Sequence, residues 1–325
     1  MKAAIVIAAG KTPVYGDFEN PTAREGQALI TVKAAALSNL TKSRASGAHY
    51  SSENTFPFVP GVDGVGVTAD GRRVYFALPE APFGAMGELC TVESRRCIPL
   101  QDGLDDQTAA AIANPGMSAW AALMERARLA RGETVLVNGA TGTAGRIAVQ
   151  LARYLGAGKV IATGRNAEEL EELKALGADV LIPFSLGALH PSGAENYEKA
   201  LMEEFAKGID VAIDYLWGQS AETVIMAIAK SVEDATPVRF VHVGGASGEE
   251  KIALSGAALR SSAIMLMGSG LKSVKLGVLL KSIQNVFEAV EPAKLKIATT
   301  VVPLSQVEQT WENAPGKPRV VFSIP

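Results

Sequence analysis

The sequence predicts an α/β chain in two parts, one β-rich and one a doubly wound parallel sheet, and three observations predict it. The first is Thr134-Val-Leu-Val-Asn-Gly139-Ala-Thr-Gly142-Thr-Ala-Gly145-Arg146-Ile-Ala, an apolar run that passes through a glycine-punctuated turn into a helix. The second is the alternation of strand-like and helix-like segments from Thr134 onward. The third is the proline-broken, strand-like character of everything before Asp105.

In the opening portion, Gln27-Ala-Leu-Ile-Thr-Val-Lys33 alternates faces as a half-buried strand does. Gly64-Val-Gly-Val-Thr68 and Val74-Tyr-Phe76 flank Asp70-Gly71, a dipeptide that signals a hairpin turn of the I′ kind. Pro57, Pro60, Pro79 and Pro82 cut the region into short pieces, which suits a small irregular barrel. A helix is expected from Asp105 to Arg128. Beyond it the strands Val135-Leu-Val137, Val160-Ile-Ala162, Val180-Leu-Ile182, Val211-Ala-Ile-Asp214, Arg239-Phe-Val-His-Val243 and Ala263-Ile-Met-Leu-Met267 alternate with helices at 147–155, 167–176, 197–205 and 221–230. Such alternation means a parallel sheet covered on both faces. The tail, Ile297 to Pro303 and Arg319 to Ser323, is β-like and is expected to rejoin the first part. The expected division is 1–115, then 116–260, then 261–325 as the last strand and return.

The glycine turn is a recipe for holding a pyrophosphate. Gly139 allows a tight exit from the strand, Gly142 lets backbone N–H groups approach phosphates, and Gly145 allows close helix packing. The helix that follows directs its positive end at the anion. About 20 residues on, the second strand ends in Gly164-Arg165-Asn166, where a dinucleotide fold chooses its cofactor. An acidic residue there would bind a free ribose 2′-hydroxyl. Small residues and an arginine point instead to NADP(H).

Composition excludes several classes. With 31 basic against 34 acidic residues, the formal charge of −3 gives no bulk attraction for nucleic acid or anionic lipid. No apolar run reaches membrane-spanning length, and Met1-Lys-Ala-Ala-Ile-Val-Ile7 lacks a signal-peptide pattern, so a cytoplasmic protein is expected. Cys90 and Cys97 have neither zinc-knuckle nor redox spacing, and His49, His190 and His242 are scattered, so no metal site is expected. His242 reads as a core histidine in mid-strand, and the charged run Glu168 to Lys174 as a solvated helix face.

Over nearly its whole length the chain resembles the zinc-free quinone oxidoreductase branch of the medium-chain dehydrogenase/reductase superfamily. The matching marks are Met1-Lys-Ala, the Val32-to-Asn39 strand, Pro60-Gly61-Val-Asp-Gly64-Val-Gly66, the helix entry Asn114-Pro-Gly-Met-Ser118-Ala-Trp120 and the turn through Gly145. The resemblance implies a GroES-like β-rich catalytic domain interrupted by a Rossmann domain, with cofactor and substrate meeting between them. Where zinc-dependent relatives carry a cysteine and Gly-His-Glu, this chain has Asn39 and Gly61-Val62-Asp63. Valine cannot ligate a metal, so the implied reaction is metal-free hydride transfer from NADPH to a quinone or an α,β-unsaturated carbonyl.

The resemblance also implies site residues. Asn39 and Tyr50 are the candidate donors to the acceptor's oxygen, although Lys42 and Arg44 replace an aspartate and a tyrosine usual in that stretch. Ser118, Gly139, Ala140, Thr141, Gly142, Thr143, Ala144, Gly145, Gly164, Arg165, Asn166, Leu216, Gly244, Gly245, Gly268 and Ser269 are the candidate cofactor contacts. Plainer roles stand beside these: Asn39 bonding a strand-end backbone, Tyr50 a surface ring, Ser118 a helix cap, and Asp214 to Gly218 a strand-end turn. A homodimer through the apolar strand Ser262 to Gly268 is expected. Short-chain dehydrogenases are set aside, because their turn opens the chain and neither Tyr154 nor Tyr197 has a lysine four residues on. A non-catalytic NADPH-binding protein of the same fold is the alternative function.

Overall fold

The computed structural model describes residues 1–48, 52, 55–314 and 316–325. Its strands are β1 (Lys2–Ile5), β2 (Val14–Asp17), β3 (Gln27–Ala36), β4 (Asp63–Thr68), β5 (Arg73–Ala77), β6 (Leu89–Glu93), β7 (Cys97–Pro99), β8 (Thr134–Asn138), β9 (Lys159–Gly164), β10 (Val180–Pro183), β11 (Val211–Asp214), β12 (Pro237–His242), β13 (Ala263–Gly268), β14 (Thr299–Pro303) and β15 (Arg319–Ser323). The helices are α1 (Asn39–Ala45), α2 (Asp106–Trp120), α3 (Thr143–Tyr154), α4 (Ala167–Glu171), α5 (Gly193–Phe205), α6 (Gly218–Ser231), α7 (Gly256–Arg260), α8 (Leu276–Ala289) and α9 (Val307–Asn313). The chain divides into two compact units: Met1–Asn114 with Lys296–Pro325, and Pro115–Leu295.

The first unit is built on a seven-stranded sheet, ordered β14-β15-β3-β4-β5-β7 with β6 also paired to β3, and a separate β1-β2 hairpin. Inward residues Ile30, Val32, Val74, Phe76, Cys90, Val92 and Phe322 pack into one apolar core. The β4–β5 connection differs from the I′ expectation. Of its residues only Gly71 has positive φ, at 83°, and Thr68 N–H bonds Arg72 O at 3.0 Å, so the turn is a longer loop closed by one left-handed glycine. The strand expected to run to Asn39 ends at Ala36. Ser38 then caps α1, accepting the Thr41 N–H at 2.9 Å, so Asn39 is the first helical residue instead of a strand end.

The second unit carries a six-stranded parallel sheet in the order β10-β9-β8-β11-β12-β13. That is the doubly wound order in which the strand sequence reverses between β8 and β11, the place where such sheets take their ligands. Leu136, Ile161, Ala212 and Phe240 lie against Tyr197, Leu201, Phe205, Val224 and Ile228 of α5 and α6. α8, unassigned in the sequence reading, belongs here too. Its Val286 sits so close to α2 that a Cβ on Gly116 would meet it at 2.5 Å. The long helix expected over 105–128 forms as α2 followed by a π-helical stretch, Ala121–Arg126, with Pro115 inside α2. Ser118 therefore lies within the helix and not at its entry. Its hydroxyl donates to Pro115 O at 3.0 Å, because the helix already starts just after Asp105, whose Oδ1 accepts the Thr108 N–H at 2.8 Å.

Candidate cofactor site

The glycine turn is built as its residues require. Gly139 leaves β8 with φ of 83°, and Leu216 covers it so closely that a Cβ there would meet the leucine side chain at 2.8 Å. At Gly145 a Cβ would lie 2.4 Å from Gly139 O and 2.6 Å from Ala140 Cα, so any side chain would push α3 off the strand exit. Gly142 is different: a Cβ would make only an ordinary contact with Gly139 O at 3.6 Å, so the protein's own packing does not demand glycine there. Gly142 is also the N-cap of α3 and, lacking a side chain, makes no cap bond to the first turn of that 12-residue helix. Arg146, not singled out in the sequence, ties the turn down by donating Nε–H to Thr141 O at 3.2 Å and Nη2–H to Glu172 at 2.7 Å.

The end of β9 lies against this turn, because a Cβ on Gly164 would meet the Thr141 methyl at 2.7 Å. Arg165 and Asn166 follow, both exposed. Asn166 Oδ1 caps α4, accepting the Glu168 and Glu169 N–H groups at 2.9 and 3.2 Å, so its carbonyl has a structural role. Arg165 forms no ion pair among the described residues.

Behind the turn, one row of aligned residues crosses the sheet: Thr163, Asn138, Asp214, His242 and Gly268. Each stands at the carboxyl end of its strand or next to it. Asn138, Thr163 and Asp214 are fully buried, a position that polar groups hold only when hydrogen-bonded. Thr163 and Tyr197 hydroxyls donate to Asn138 Oδ1 at 2.7 and 3.0 Å. Asn138 Nδ2 donates to Asp214 Oδ1 at 2.8 Å and to Ser220 Oγ at 3.1 Å. Burial pushes the Tyr197 phenol well up, with the Asp214 charge adding to it, so this hydroxyl keeps its proton and acts as a donor. Asp214 also accepts the Leu216 N–H at 3.1 Å and the Trp217 N–H at 3.1 Å, which places Leu216 over Gly139.

His242 corrects the expectation of a buried mid-strand residue. It ends β12, its side chain is 34% exposed, and its Nδ1 lies 2.9 Å from Asp214 Oδ2. The remaining candidates sit nearby. Gly244 N–H bonds Asp214 O at 3.3 Å, Gly245 is exposed, and Ser269 N–H bonds His242 O at 2.8 Å. Gly268 O accepts from Arg126 Nε at 2.8 Å. The Tyr215 hydroxyl is buried and makes no hydrogen bond of good geometry, yet burial's upward push on the phenol is partly offset by the Ser118 hydroxyl.

The acceptor-side candidates lie in the first unit. Asn39 is exposed on the first turn of α1, and since Ser38 supplies the cap, its amide has no partner among the described residues. Tyr50 lies outside the described residues. Val62 is buried and Asp63 is fully enclosed, accepting the Tyr75 hydroxyl at 2.9 Å. Burial raises the Asp63 carboxyl to about 6 against the opposing pull of the Arg319 charge, while Asp63 Oδ1 and Arg319 Nε and Nη2 are buried without hydrogen-bond partners. Among the described residues no group of three His, Cys, Asp or Glu side chains could hold a metal ion, and no helix is long and apolar enough to cross a membrane.

Comparison with known proteins agrees with this architecture. The family profile described as zinc-binding dehydrogenase matches residues 144–285, all within the second unit. A probable NADPH-dependent quinone reductase of Emericella nidulans is 26% identical across 96% of this chain and 96% of its own length. A 2-methylene-furan-3-one reductase of Solanum lycopersicum is 30% identical over 70% of this chain, which spans 61% of that relative. The quinone oxidoreductase of Thermus thermophilus, solved also in complex with NADPH, superposes with a TM-score of 0.80 at 25% identity and full coverage of both chains. The chain is thus similar to zinc-binding dehydrogenases within the second unit and, over most of its length, to quinone and enone reductases.

Proposed function

We propose that this protein is an NADPH-dependent oxidoreductase that reduces a quinone or an α,β-unsaturated carbonyl without a metal. The observation that carries the reading is the cradle after β8, where Gly145 admits no Cβ, the N-cap Gly142 offers α3 no side chain, and exposed Arg165 follows the end of the neighbouring strand. Those features fit a dinucleotide with a 2′-phosphate: the N–H groups of Ala144 and Gly145 in the first turn of α3 would hold the pyrophosphate and Arg165 the phosphate on the ribose. When bound, NADPH supplies the hydride. Ser118, Leu216, Gly244, Gly245, Gly268 and Ser269 would line the nicotinamide end.

The chain's own task is to place the acceptor and to donate hydrogen bonds where oxygen gains charge. Asn39 and Tyr50 take that role in this reading, supported for Asn39 by an amide left free when Ser38 caps α1. Val62 in place of a metal ligand supports electrostatic stabilisation by such donors in place of a Lewis acid. We assign residues 1–115 to the catalytic domain, 116–260 to the cofactor domain and 261–325 to the last strand and return. Two free cysteines, one of them buried, suit a reducing cytoplasm. β13 ends the six-stranded sheet with Met265 and Leu266 exposed at 42% and 40%, which supports a symmetric dimer through that edge. A dimer mass by light scattering at micromolar concentration is expected; a monomer would remove that part of the proposal.

The test is NADPH oxidation with a panel of quinones and enones, with and without EDTA. Turnover that EDTA leaves intact is expected. Tight NADPH binding with no turnover across the panel would favour a non-catalytic NADPH-binding protein, and activity lost to EDTA and restored by zinc would refute the metal-free reading.

A further inference from the structure

In a doubly wound sheet each half serves one nucleotide of the cofactor, and here the β8 turn and the β9 end serve the pyrophosphate and the adenosine side. The half formed by β11, β12 and β13 is left for the nicotinamide nucleoside. At its centre stands His242, a residue that neither the glycine turn nor the metal-free mechanism uses.

Three constraints act on this ring. Asp214 is fully buried and as a carboxylate only accepts, so His242 Nδ1 carries the proton of their 2.9 Å bond. Asp214 in turn is fixed by donors from Asn138, Leu216 and Trp217. Trp217 packs its indole on the imidazole, with ring centroids 4.3 Å apart, while its own Nε1–H donates to Glu250 O at 3.3 Å. The backbone at Trp217 has φ of 64°, a left-handed conformation that a non-glycine residue holds only under restraint, and the Asp214 carboxylate bonds its N–H. One buried carboxylate thus sets the tautomer of His242 and steadies the ring that stacks on it.

A histidine kept only to complete a core would be enclosed, with both nitrogens bonded. His242 instead keeps a third of its side chain open at a strand's carboxyl end, and its remaining polar atom, Nε2, is an acceptor in the neutral ring. We propose that His242 Nε2 accepts a hydrogen bond from the nicotinamide nucleoside of the cofactor, from a ribose hydroxyl or from the carboxamide N–H. The assignment rests on the NADPH reading above and adds a contact to it.

Two substitutions separate this role from a structural one. His242→Asn can keep a donor facing Asp214 but has nothing at the position of Nε2, whereas His242→Gln reaches that position and gives up the Asp214 bond. Binding is measured for NADPH, for 2′-phospho-ADP-ribose and for 2′,5′-ADP, which ends before the second ribose. The Asn variant should bind NADPH about three- to tenfold more weakly, as one hydrogen bond is worth, with 2′,5′-ADP affinity unchanged as evidence of an intact first half. The Gln variant should stay closer to wild type. Loss carried over to 2′-phospho-ADP-ribose identifies the ribose hydroxyl, and loss confined to NADPH identifies the carboxamide. The proposal is overturned if the Asn variant binds NADPH as wild type does, if the Gln variant falls as far as the Asn variant, or if 2′,5′-ADP affinity falls with that for NADPH. Wild-type protein that binds none of the three ligands would instead sink the NADPH reading on which it rests.

Discussion

Both units bury polar side chains at strand ends, the second at carboxyl ends and the first at amino ends, but they treat them in opposite ways. In the second unit Asn138, Thr163, Tyr197, Ser220 and Asp214 satisfy one another, and a single ring, His242, opens from the network. In the first unit Asp63 receives one bond from Tyr75 while its other oxygen and two nitrogens of Arg319 stay buried and unbonded. A closed network holds geometry, because each group is fixed by several partners and none gains by moving. An open cluster holds charge poorly and responds to pH. The difference teaches that the precision needed for a bound dinucleotide resides in the sheet of the second unit, and the first unit carries the titratable weakness.

The comparison breaks most visibly at its centre. Replacing Asn138 by Leu removes the acceptor of Thr163 and Tyr197 and a donor to Asp214 and Ser220 together; Asp214 and Ser220 keep other partners, but the two buried hydroxyls lose their acceptor. At roughly 1–3 kcal/mol for each of these two hydroxyls, a destabilisation of about 2–6 kcal/mol is expected in denaturant unfolding followed by probes in the second unit. A change under 1 kcal/mol would mean that the network is not what holds the sheet end.

The open cluster is tested by pH. A carboxyl raised to about 6 in the fold, against about 4 in the unfolded chain, contributes stability that is complete below pH 4 and lost as pH climbs through 6. Asp63→Asn cannot ionise and escapes that loss. Wild type minus variant stability should therefore fall by about 3 kcal/mol between pH 4 and pH 7, two pKa units at about 1.4 kcal/mol each. A pH-independent difference would show that Asp63 titrates normally.

Two smaller effects sharpen the functional side. Arg165→Ala should weaken NADPH binding by about ten- to a hundredfold, the worth of a charge-assisted bond at roughly 1.5–3 kcal/mol, and leave NADH nearly untouched. Equal wild-type affinity for the two cofactors would remove the basis for it. Asn39→Ala should lower kcat and kcat/KM together by about tenfold with NADPH affinity little changed. Unaltered kcat on an acceptor whose hydride transfer is rate-limiting would show that Asn39 only shapes a surface.

Much of this was legible in the sequence because its signals are local. Gly139, Gly142 and Gly145 lie within seven residues, and the strand and helix periods after Thr134 each complete within one element. The polar row was not legible, since Asn138 meets Thr163 25 positions away and Asp214 76 positions away, and only strand order brings them into line. His242 read as core for the same reason: its apolar neighbours are adjacent in sequence, while the carboxylate that orients it lies one strand over. At Asn39 the error was of boundary: Ser38 stops a strand by capping a helix, so Asn39 took a position one element away from the one its flanks suggested.

The central claim is hydride delivery from NADPH to an electron-poor carbon, and isotope transfer tests it most directly. With NADPH deuterated at the transferring C4 position and an enone acceptor, mass spectrometry of the saturated product should find one deuterium on the β-carbon, with EDTA present throughout. A product whose β-carbon takes its hydrogen from solvent, or NADPH bound at the cradle and never consumed by any enone or quinone, would contradict the account.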